Sequence, residues 1–427
     1  MKALSQALAK NPIFYVSRDV ERAIGLTNNL PGYYIISNYS SFAKRCADHN
    51  QNIFLTKNKR ILDSWELLEN VAVKNFIKQH QTVKTRPRIL VFKNTFQIEK
   101  ICAQNNWILL NPPALLSGQI EEKISQAKWL GKLKKYFPPF KIQECAQIKF
   151  TGRPFILQFN RSHTGSGTIL ITGRKQLDLI KQKFPLRPAK TAQYIHGPLF
   201  TNNIAVWDGH LLSGNISYQI TGLKPFTDNK FATIGNDWKL PAKILTSAQI
   251  KQYHKIVQAV GRRMIASGWR GLFGIDVVAD ARSGRLYLVE INARQPASAS
   301  YESSLQSNKL NSSTNLPDKK SVWTKNDFCS IFQAHLAGLL KLRYNNCRIV
   351  KINSGAQIVR RITADRRKIK SKAIIQRRDL DLNIIKYDNN KPGADNLRIQ
   401  TNEALMQLHN KFNQLGKQII NLLSDIK

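Results

Sequence analysis

Asp276, Glu290 and Asn292 are oxygen-bearing side chains in a stretch that otherwise predicts a buried β-hairpin. Residues 274–296 read GIDVVADARSGRLYLVEINARQP, which is two apolar strands joined by the turn ARSG. Glu290 and Asn292 are two residues apart, so both side chains project from the same face of the second strand. Asp276 lies near the position opposite Glu290 on the first strand. The spacing therefore predicts that two carboxylates and one amide meet at one point.

Carboxylates clustered in an apolar hairpin indicate a bound cation, because a buried charge is costly unless it is paired or coordinated. The apolar surroundings come from Ile275, Val277, Leu288, Val289 and Ile291. Two carboxylates and an amide oxygen, with the other positions left to phosphate oxygens and water, form a ligand set suited to Mg2+. Arg294 would add a fixed positive charge beside this set. The alternative is an edge hairpin whose acids are solvated.

A second candidate is the loop NRSHTGSGTILI at 160–171, which joins two predicted strands. Gly165 and Gly167 permit positive φ, so successive backbone N–H groups can surround a phosphate. Hydroxyl donors in the loop would be Thr164, Ser166 and Thr168. The loop lacks the GK[ST] ending of a P-loop, and a strand instead of a helix follows it. The alternative is an ordinary hairpin turn, where Gly and Ser are common.

The elements that must hold these groups divide the chain into three parts. Short β-rich runs such as IFYV (13–16) alternate with helical stretches through residues 1–118, which predicts an open α/β domain without the GxGxxG dinucleotide fingerprint. Residues 119–345 have an α+β pattern that begins with a linker helix. This part contains both the candidate hairpin and the candidate loop. Within it, 303–325 is rich in Ser and Asn and predicts a mobile loop. Residues 346–427 predict a small β-rich segment closed by a helix.

The composition is that of a globular protein. The chain has 427 residues, 42% of them hydrophobic, which is enough for two or three domains with a sizeable core. No apolar run approaches the length of a membrane span, and the first residues do not predict a signal peptide. Five scattered cysteines without a CxxC pair favour a reduced, cytoplasmic protein and disfavour a structural zinc site.

The net charge is formally +39, from 66 Lys and Arg against 27 Asp and Glu. Such a balance attracts polyanions, including nucleic acid, anionic lipid and nucleotides. The basic residues are spread along nearly the whole chain, however, which suits a compositional lysine bias. None of the usual nucleic-acid recognition motifs is present. Nucleic acid is therefore a less favoured partner than a small molecule.

The hairpin at 274–296 resembles the metal-binding hairpin of the ATP-grasp superfamily, where an acid on one strand precedes an E-x-N-x-R element on the next. VEINAR is similar to that element, and the Gly-rich loop lies about 125 residues upstream, where the family has its phosphate-covering flap. AQYIHGP (192–198) resembles the adenine-contacting segment. The resemblance covers roughly residues 120–345. It implies an N-terminal open α/β domain, a central two-lobed ATP-grasp domain and a small C-terminal β-rich segment.

The resemblance implies a role for each matching residue. Asp276, Glu290 and Asn292 match the magnesium ligands, and Arg294 matches an arginine that faces the phosphate or the acyl intermediate. The flap over the β- and γ-phosphates would include Thr164, Gly165, Ser166, Gly167 and Thr168. The adenine-contacting segment would be Gln193, Tyr194 and Ile195, with Ile195 offering its backbone. The implied cofactors are ATP and Mg2+.

The sequence departs from the family pattern at two lysine positions. The family has a lysine in the strand before the flap, where FILQFN has Gln158. Gln158 can donate a hydrogen bond to a phosphate but brings no charge, and Arg161 or Lys149 could supply the missing charge. The second family lysine, near the start of the central domain, falls at either Gln126 or Lys128.

The expected function is that of an ATP-dependent ligase of the ATP-grasp type, acting on a small-molecule carboxylate and an amine or similar nucleophile. The alternative is a degenerate, non-catalytic relative that binds a nucleotide or nucleic acid through its basic surface. Gln158 and the net charge favour the alternative, whereas the three metal ligands oppose it. The sequence specifies neither the substrates nor the oligomeric state.

Overall fold

The computed structural model describes residues 2–82, 85–160, 167–312, 327–363, 381–389 and 391–424. These residues form a mixed α/β structure whose three main sheets have five, four and nine strands. The mixed class with several sheets confirms the fold class that the sequence predicts. Within the described ranges, no helix is long and apolar enough to cross a lipid bilayer.

The N-terminal sheet has five parallel strands. Its strands are β1 (Ile13–Val16), β2 (Tyr33–Asn38), β3 (Ile53–Thr56), β4 (Arg88–Val91) and β5 (Ile108–Leu109). Its helices are α1 (Lys2–Lys10), α2 (Ser41–Asp48), α3 (Ser64–Glu69), α4 (Val71–His80) and α5 (Phe96–Gln104). The strands lie in the order β3-β2-β1-β4-β5, so the order reverses between β1 and β4. Ligands of open α/β sheets bind outside the carboxyl ends of the strands at such a reversal.

Two short helices, α6 (Ala114–Glu121) and α7 (Lys123–Leu130), connect this sheet to the rest of the chain. The first turn of α7 is capped from a distant part of the sequence. The side-chain oxygen of Asn160 accepts a hydrogen bond from the backbone N–H of Ile124 at 2.9 Å. The amide of Asn160 also donates to the carboxylate of Glu122 at 2.6 Å. The start of α7 is therefore fixed to the chain at residue 160.

The four-stranded antiparallel sheet carries an apolar cluster on one face and polar side chains on its second face. Its strands are β6 (Phe140–Glu144), β7 (Phe155–Phe159), β8 (Thr168–Ile171) and β9 (Pro188–Gln193), in the order β6-β9-β7-β8. Leu157, Phe159 and Ala189 belong to a buried apolar cluster that includes Leu177 of helix α8 (Arg174–Lys183). Because side chains alternate along a strand, the residues next to these, at positions 158 and 190, project from the other face.

The largest sheet carries the candidate hairpin. Its strands are β10 (Leu199–Trp207), β11 (His210–Ser213), β12 (Ser217–Thr221), β13 (Thr233–Asp237), β14 (Gly271–Ala279), β15 (Leu286–Asn292), β18 (Ala356–Arg361), β19 (Asn383–Lys386) and β20 (Asp395–Thr401). They lie in the order β15-β14-β10-β12-β13-β18-β20-β19, with β11 paired to β10. The strands of the C-terminal segment thus continue the sheet that contains the hairpin. Two small ladders pair β16 (Phe328–Cys329) with β17 (Arg348–Ile349) and β21 (Met406–Leu408) with β22 (Lys411–Phe412).

The remaining helices cover this sheet. They are α9 (Pro241–Ile244), α10 (Ser247–Ala266), α11 (Ala299–Ser312), α12 (Ile331–Leu339) and α13 (Gln414–Ser424). Helix α10 begins with a capping box between Thr246 and Gln249. Its buried face, which includes Tyr253 and Val257, belongs to the same core cluster as Phe273 of β14. One face of the hairpin is therefore covered by α10.

Helix α11 corrects the prediction of a mobile loop at 303–325. The hydroxyl of Ser303 accepts from the backbone N–H of Phe332 at 3.0 Å, and the side-chain oxygen of Gln306 accepts from that of Ile331 at 2.8 Å. These polar side chains satisfy the N-terminus of α12, whose first N–H groups have no partner within their own helix. The prediction was therefore wrong for the part of the range that α11 occupies. The rest of it lies outside the described residues.

Candidate active site

The hairpin β14–β15 brings the three predicted metal ligands to one face of the largest sheet. Asp276 pairs with Glu290 in the antiparallel register, and Asn292 lies two residues further along β15. A register shift follows Asp276, where β15 contains one extra residue. Ile275 and Val277 are buried in the same core cluster as α10. Asp276, between them, therefore projects from the opposite face.

Asp276 is a buried acid without enough partners for its negative charge. It is 7% exposed, and its Oδ1 atom has no hydrogen-bond partner among the described residues. The Asn292 amide donates to its other oxygen at 3.2 Å. Burial and the carboxylate of Glu290 raise the pKa of Asp276 to about 6, against the opposing effects of Thr201 and Lys123. Two neighbouring carboxylates, one with a free buried oxygen, are donors that a divalent cation would satisfy.

Lys123 is the lysine of α7 that contacts the hairpin. It is 6% exposed, and its Nζ atom lies 2.5 Å from Oε1 of Glu290. Lys128, one of the two positions that the sequence suggests for the family lysine, is exposed. Gln126, the other position, is buried and donates to the backbone carbonyl of Ile291 at 3.3 Å. Lys123, about one helical turn before Gln126, is therefore a lysine of α7 that lies beside the hairpin, and the binding role of Lys128 stays a prediction.

The second face of the four-stranded sheet carries a row of polar side chains. Gln158 pairs with Thr168 on one side and with Lys190 on the other. The amide of Gln158 donates to the hydroxyl of Thr168 at 3.1 Å. Gln158 and Lys190 are both buried, and the Lys190 ammonium lies 3.8 Å from the centre of the Phe137 ring. The position that lacks the family lysine thus has a lysine directly beside it.

Lys190 is within electrostatic reach of the hairpin. Burial and the ammonium of Lys123 lower the pKa of Lys190 to about 7, and Glu290 opposes this effect. Helix α7 connects the two sheets, because Lys123 contacts Glu290 while the next residue, Ile124, binds Asn160 just after β7. The polar row of the four-stranded sheet and the carboxylates of the hairpin therefore lie on either side of the first turn of α7.

The predicted phosphate flap is described only at its end. Gly167 is buried, and its carbonyl accepts from the backbone N–H of Phe159 at 3.4 Å. Thr168 begins β8 and binds Gln158. Thr164, Gly165 and Ser166 lie outside the described residues, so their role in phosphate binding stays a prediction. Of the two residues suggested to replace the missing charge, Lys149 is exposed and Arg161 lies outside the described residues.

The predicted adenine-contacting segment connects β9 to β10. Gln193 is exposed at the end of β9, and the next two residues, Tyr194 and Ile195, are half-buried. Gly197 lets this segment approach the hairpin closely. A Cβ atom at Gly197 would lie 1.8 Å from the carbonyl oxygen of Ala279, so only glycine fits without a shift of the backbone.

An apolar row lies beside this segment, on the face that carries Asp276. Leu199 pairs with Val278, and Val278 pairs with Tyr287 on the other side. Val278 is two residues after Asp276, so the row is next to the carboxylates on the same face. An apolar floor beside a charged row suits a ligand with a flat base at one end and phosphates at the other.

Arg294 is fixed between the hairpin and the N-terminal part of the chain. Its Nε atom donates to Glu121 at 3.1 Å, and its Nη2 atom donates to Oδ1 of Asn292 at 3.0 Å. Burial opposes ionisation of Glu121, yet Arg294 and Lys93 hold the pKa of that carboxyl below its usual range. The guanidinium also lies 5.7 Å from the centre of the Phe92 ring, just after β4. Arg294 therefore lies near the reversal of strand order in the N-terminal sheet.

A polar cavity of about 200 Å³ lies between the N-terminal sheet, α11 and the C-terminal strands. Glu21 lines it from the turn after β1, Ser304 from α11 and Gln400 from β20. The other lining residues are Ile24, Ser300, Tyr301, Asn308, Asp381, Asn383, Thr401 and Asn402. This described lining contains two carboxylates and neither Lys nor Arg, in a chain with a net charge of +39.

No group of three or more His, Cys, Asp or Glu in the described part of the chain is placed to hold a metal ion. The hairpin offers two carboxylates and the amide oxygen of Asn292, so it suits a cation that takes its remaining ligands from phosphate and water, as Mg2+ does. The unpartnered Oδ1 of Asp276 agrees with such a ligand. The residues fit Mg2+, whose binding stays a prediction.

Sequence reasoning missed Lys123 and Lys190. Lys123 stands in IEEKISQ, and its position beside β15 depends on which turn of α7 packs against the hairpin, which the sequence does not show. Lys190 stands in RPAKTAQ, just before the adenine-contacting segment. Its proximity to Gln158 depends on the pairing of β7 with β9, which neither composition nor local spacing reveals.

No family model matches the sequence, and no curated protein is similar to it at the sequence level. Solved structures do match over nearly the full chain. The N5-carboxyaminoimidazole synthetase from Staphylococcus aureus is 13% identical, with a TM-score of 0.61 and 97% of each chain covered. The carboxyaminoimidazole ribonucleotide synthase from Aspergillus clavatus complexed with ATP is 13% identical, with a TM-score of 0.61 and coverage of 98% of this chain and 99% of that one. The L-amino acid ligase from Bacillus licheniformis is 14% identical, with a TM-score of 0.58 and 97% of each chain covered.

Proposed function

The chain has the ATP-grasp fold, and we propose that it is an ATP-dependent ligase that activates a carboxylate as an acyl phosphate and joins it to an amine or similar nucleophile. The observation that carries the proposal is the hairpin, where Asp276 pairs with Glu290 and keeps a buried oxygen without a partner. Such a costly pair of acids is typical of a functional site. The similar structures include an L-amino acid ligase and a synthase complexed with ATP, which supports the same class of reaction.

In this proposal ATP binds between the four-stranded sheet and the hairpin. The adenine would rest on the apolar row Leu199, Val278 and Tyr287, beside the backbone of Ile195. The phosphates would extend one row further along the same face, towards Asp276. The loop that ends at β8 would cover them and exclude water. This arrangement uses the apolar and the charged parts of the face for the two ends of one ligand.

Asp276, Glu290 and Asn292 would hold Mg2+, which when bound neutralises phosphate charge and orients the triphosphate. The amide oxygen of Asn292 would exchange its hydrogen bond from Arg294 for the cation. Glu290 would likewise share its contact with Lys123. Both basic side chains would then be available to phosphate oxygens, with which they form strong charge-assisted hydrogen bonds.

The proposed reaction has two steps and needs no nucleophile from the protein. A carboxylate oxygen of the substrate attacks the γ-phosphorus of ATP, and the bond to the bridging oxygen breaks with its electron pair leaving on ADP. The amine then attacks the acyl carbon, inorganic phosphate leaves, and the amine proton passes to solvent. Arg294, held by Glu121, faces the phosphate or the acyl intermediate. Catalysis thus rests on positioning and on neutralised charge.

The polar cavity beside α11 is the candidate pocket for the nucleophile. It begins near the site, because α11 starts five residues after Arg294. Glu21, which lines it, is next in sequence to Arg22, whose guanidinium lies 5.0 Å from the same Phe92 ring that Arg294 contacts. Glu21 is already paired with Arg22 at 3.7 Å, outside the lining. The lining itself has two carboxylates and neither Lys nor Arg, which favours an amine over a phosphorylated nucleophile.

Release of ADP and phosphate in the presence of pooled carboxylates and amines tests the proposal. We expect at least one pool to stimulate release with the wild-type protein, because both steps need their substrates in place. Asp276→Asn should abolish that stimulation. Asp280→Asn, which changes the acid in the turn of the same hairpin, is the matched control and should keep it. If no pool raises release above the background rate, the ligase proposal is contradicted.

A second candidate function is binding of a polyanion without catalysis, and a basic groove of about 540 Å³ favours it. The groove is lined by Lys132, Lys134, Lys135, Lys141 and Arg285 together with the rings of Phe137, Phe140 and Tyr287. Basic residues interleaved with aromatic rings suit single-stranded nucleic acid. Affinity for a random oligonucleotide that falls steeply with salt would support this function, and weak binding at moderate salt would oppose it.

A further inference from the structure

Lys190 is a buried cation without a carboxylate partner in the described part of the chain. It is 2% exposed. The nearby acid Glu290 forms its ion pair with Lys123 and not with Lys190. The ring of Phe137, 3.8 Å from its ammonium, compensates only part of the cost of burying a charge. The site therefore contains one more buried ammonium group than its ion pairs account for.

The side chain of Lys190 lies beside that of Gln158. The two residues are direct partners in the antiparallel pairing of β7 with β9, and both project from the second face of the sheet, opposite the apolar cluster. Side chains of directly paired residues have Cβ atoms about 5 Å apart on the same face. A lysine side chain is longer than that separation. Its ammonium group at 190 can therefore reach the space that a lysine at 158 would reach.

We infer that Lys190 is a phosphate-binding cation of this site and performs from β9 the role that the ATP-grasp family gives to a lysine on β7. The inference rests on the proposed function, because it assumes that ATP binds beside the hairpin. It assigns Gln158 a different task, which is to hold the start of β8 through its hydrogen bond to Thr168. The absence of lysine at 158 is then compensated by Lys190 on β9, and it does not indicate a degenerate site.

Burial and the ammonium of Lys123 disfavour the charged form of Lys190 and lower its pKa to about 7. An anion beside the two lysines would favour that charged form. Binding of Mg2+ to Asp276 and Glu290 would remove much of the negative charge that now balances them. A polyphosphate supplies that charge again, and it is the anion that an ATP-grasp fold brings to this place. The two lysines and the metal would then contact one triphosphate from different sides.

The test compares affinities for ATP, ADP and adenosine, measured by calorimetry with Mg2+ present. Lys190→Met keeps an apolar side chain against Phe137 and removes the charge. We expect it to bind ATP and ADP about tenfold to a hundredfold more weakly, with adenosine unaffected, because the lost contact is to phosphate. The double substitution Gln158→Lys with Lys190→Gln returns the lysine to β7 and should restore most of the affinity. Lys175→Gln, an exposed lysine on α8, is the control and should bind like wild type.

Three results would overturn the inference: Lys190→Met binds ATP as tightly as wild type, it loses adenosine and ATP equally, or the double substitution restores nothing. Thermal melting establishes that each variant is folded. If Lys190→Met does not fold, Lys190→Gln is compared with Lys190→Arg, which keeps the charge. Lys190→Gln should then bind ATP and ADP more weakly than Lys190→Arg, with adenosine unaffected. Wild-type protein that fails to bind ATP contradicts the proposed function as well, whereas binding that ignores Lys190 contradicts this inference alone.

Discussion

Lys123 provides part of the positive charge that the neighbouring carboxylates Asp276 and Glu290 need. Among the described residues its ammonium forms an ion pair with Glu290 and not with Asp276, so Asp276 keeps a buried oxygen without a partner. Burial and the carboxylate of Glu290 raise the pKa of Asp276 to about 6. A lysine in contact with one of two acids is an incomplete substitute for a divalent cation, which would bind both. The residues are therefore arranged so that Mg2+ and the nucleotide phosphates can replace contacts that already exist within the protein.

Lys123→Gln should lower the free energy of unfolding by about 1–3 kcal/mol at neutral pH, because it leaves the half-buried Glu290 beside Asp276 without its cation. Adding Mg2+ should then raise the melting temperature of this variant more than that of wild type, since the metal can take the place of the lysine. The measurement is thermal and denaturant unfolding with and without Mg2+. Lys128→Gln, exposed on the same helix, should behave like wild type. A Lys123→Gln protein as stable as wild type and indifferent to Mg2+ would contradict this account of the pair.

The candidate metal ligands could be predicted from the sequence because their geometry is local. A hairpin with a short turn brings Asp276 opposite Glu290, and alternation along one strand aligns Glu290 with Asn292. Lys190 could not be predicted in this way. Its partner Gln158 is 32 residues earlier (190 minus 158), and the two meet only because β9 inserts between β6 and β7 in the sheet. Contacts of that kind depend on strand order, which the residue pattern does not encode locally.

At the scale of elements, helix α12 is joined to the hairpin through a buried histidine. Nδ1 of His335 accepts a hydrogen bond from the backbone N–H of Leu272 at 2.9 Å, at the start of β14. His335 is 4% exposed, and burial lowers its pKa to about 3 from the usual 6.5. The neutral ring is therefore the form that the folded protein contains. Protonation would remove the acceptor and introduce a buried charge.

The folded protein should lose stability as the pH falls below 6.5. Unfolded chain binds a proton at His335 near pH 6.5, whereas folded chain does so only near pH 3, so acid favours the unfolded state in between. This single group should contribute a loss of about 2–3 kcal/mol between pH 6.5 and 4.5. Denaturant unfolding across that pH range measures this loss. His335→Gln keeps a hydrogen-bond acceptor, and its free energy of unfolding should fall less steeply with pH than that of wild type. The exposed control His49→Gln should keep the wild-type slope; equal slopes for all three proteins would contradict the assignment.

The segment 303–325 has the composition of a loop, yet its first part belongs to helix α11. Ser and Asn are typical of loops because their side chains compete for backbone hydrogen bonds. In α11 such side chains instead bind the N-terminus of a second helix, as Ser303 binds Phe332. The stabilising contact is tertiary, so the composition of the segment alone pointed to the wrong structure. The alternation of strands and helices in the N-terminal part was a stronger signal, because it repeats over several elements.

At the scale of the whole molecule, the N-terminal sheet and the C-terminal strands are held together by a buried polar network. The hydroxyl of Tyr387 donates to the carboxylate of Glu21, and Nε of Arg398 donates to the Tyr387 oxygen at 2.8 Å. Arg398 also donates to the side-chain oxygen of Gln357 at 3.1 Å. Glu21 lines the cavity proposed for the nucleophile. The walls of that cavity are therefore positioned by contacts between the first and last parts of the chain.

The net charge of +39 does not by itself distinguish a ligase from a polyanion-binding protein. The acids are few, yet two of them stand paired on the hairpin face and two more line the polar cavity. A uniformly basic surface would need no acids at these places. Their presence in so basic a chain favours a site that binds cations or amines. The basic groove that includes Lys132 and Arg285 would be explained by the alternative function. The paired acids of the hairpin would not be explained by that function.

Calorimetric titration of ATP with and without Mg2+ tests the central claim most directly, using wild type, Asp276→Asn and Glu290→Gln. We predict that wild type binds ATP more tightly by about tenfold or more when Mg2+ is present, because a metal held by the two carboxylates would neutralise phosphate charge. Each substitution should remove most of that dependence on Mg2+, and Asp280→Asn should preserve it. ATP binding that ignores both Mg2+ and the two substitutions would contradict the account.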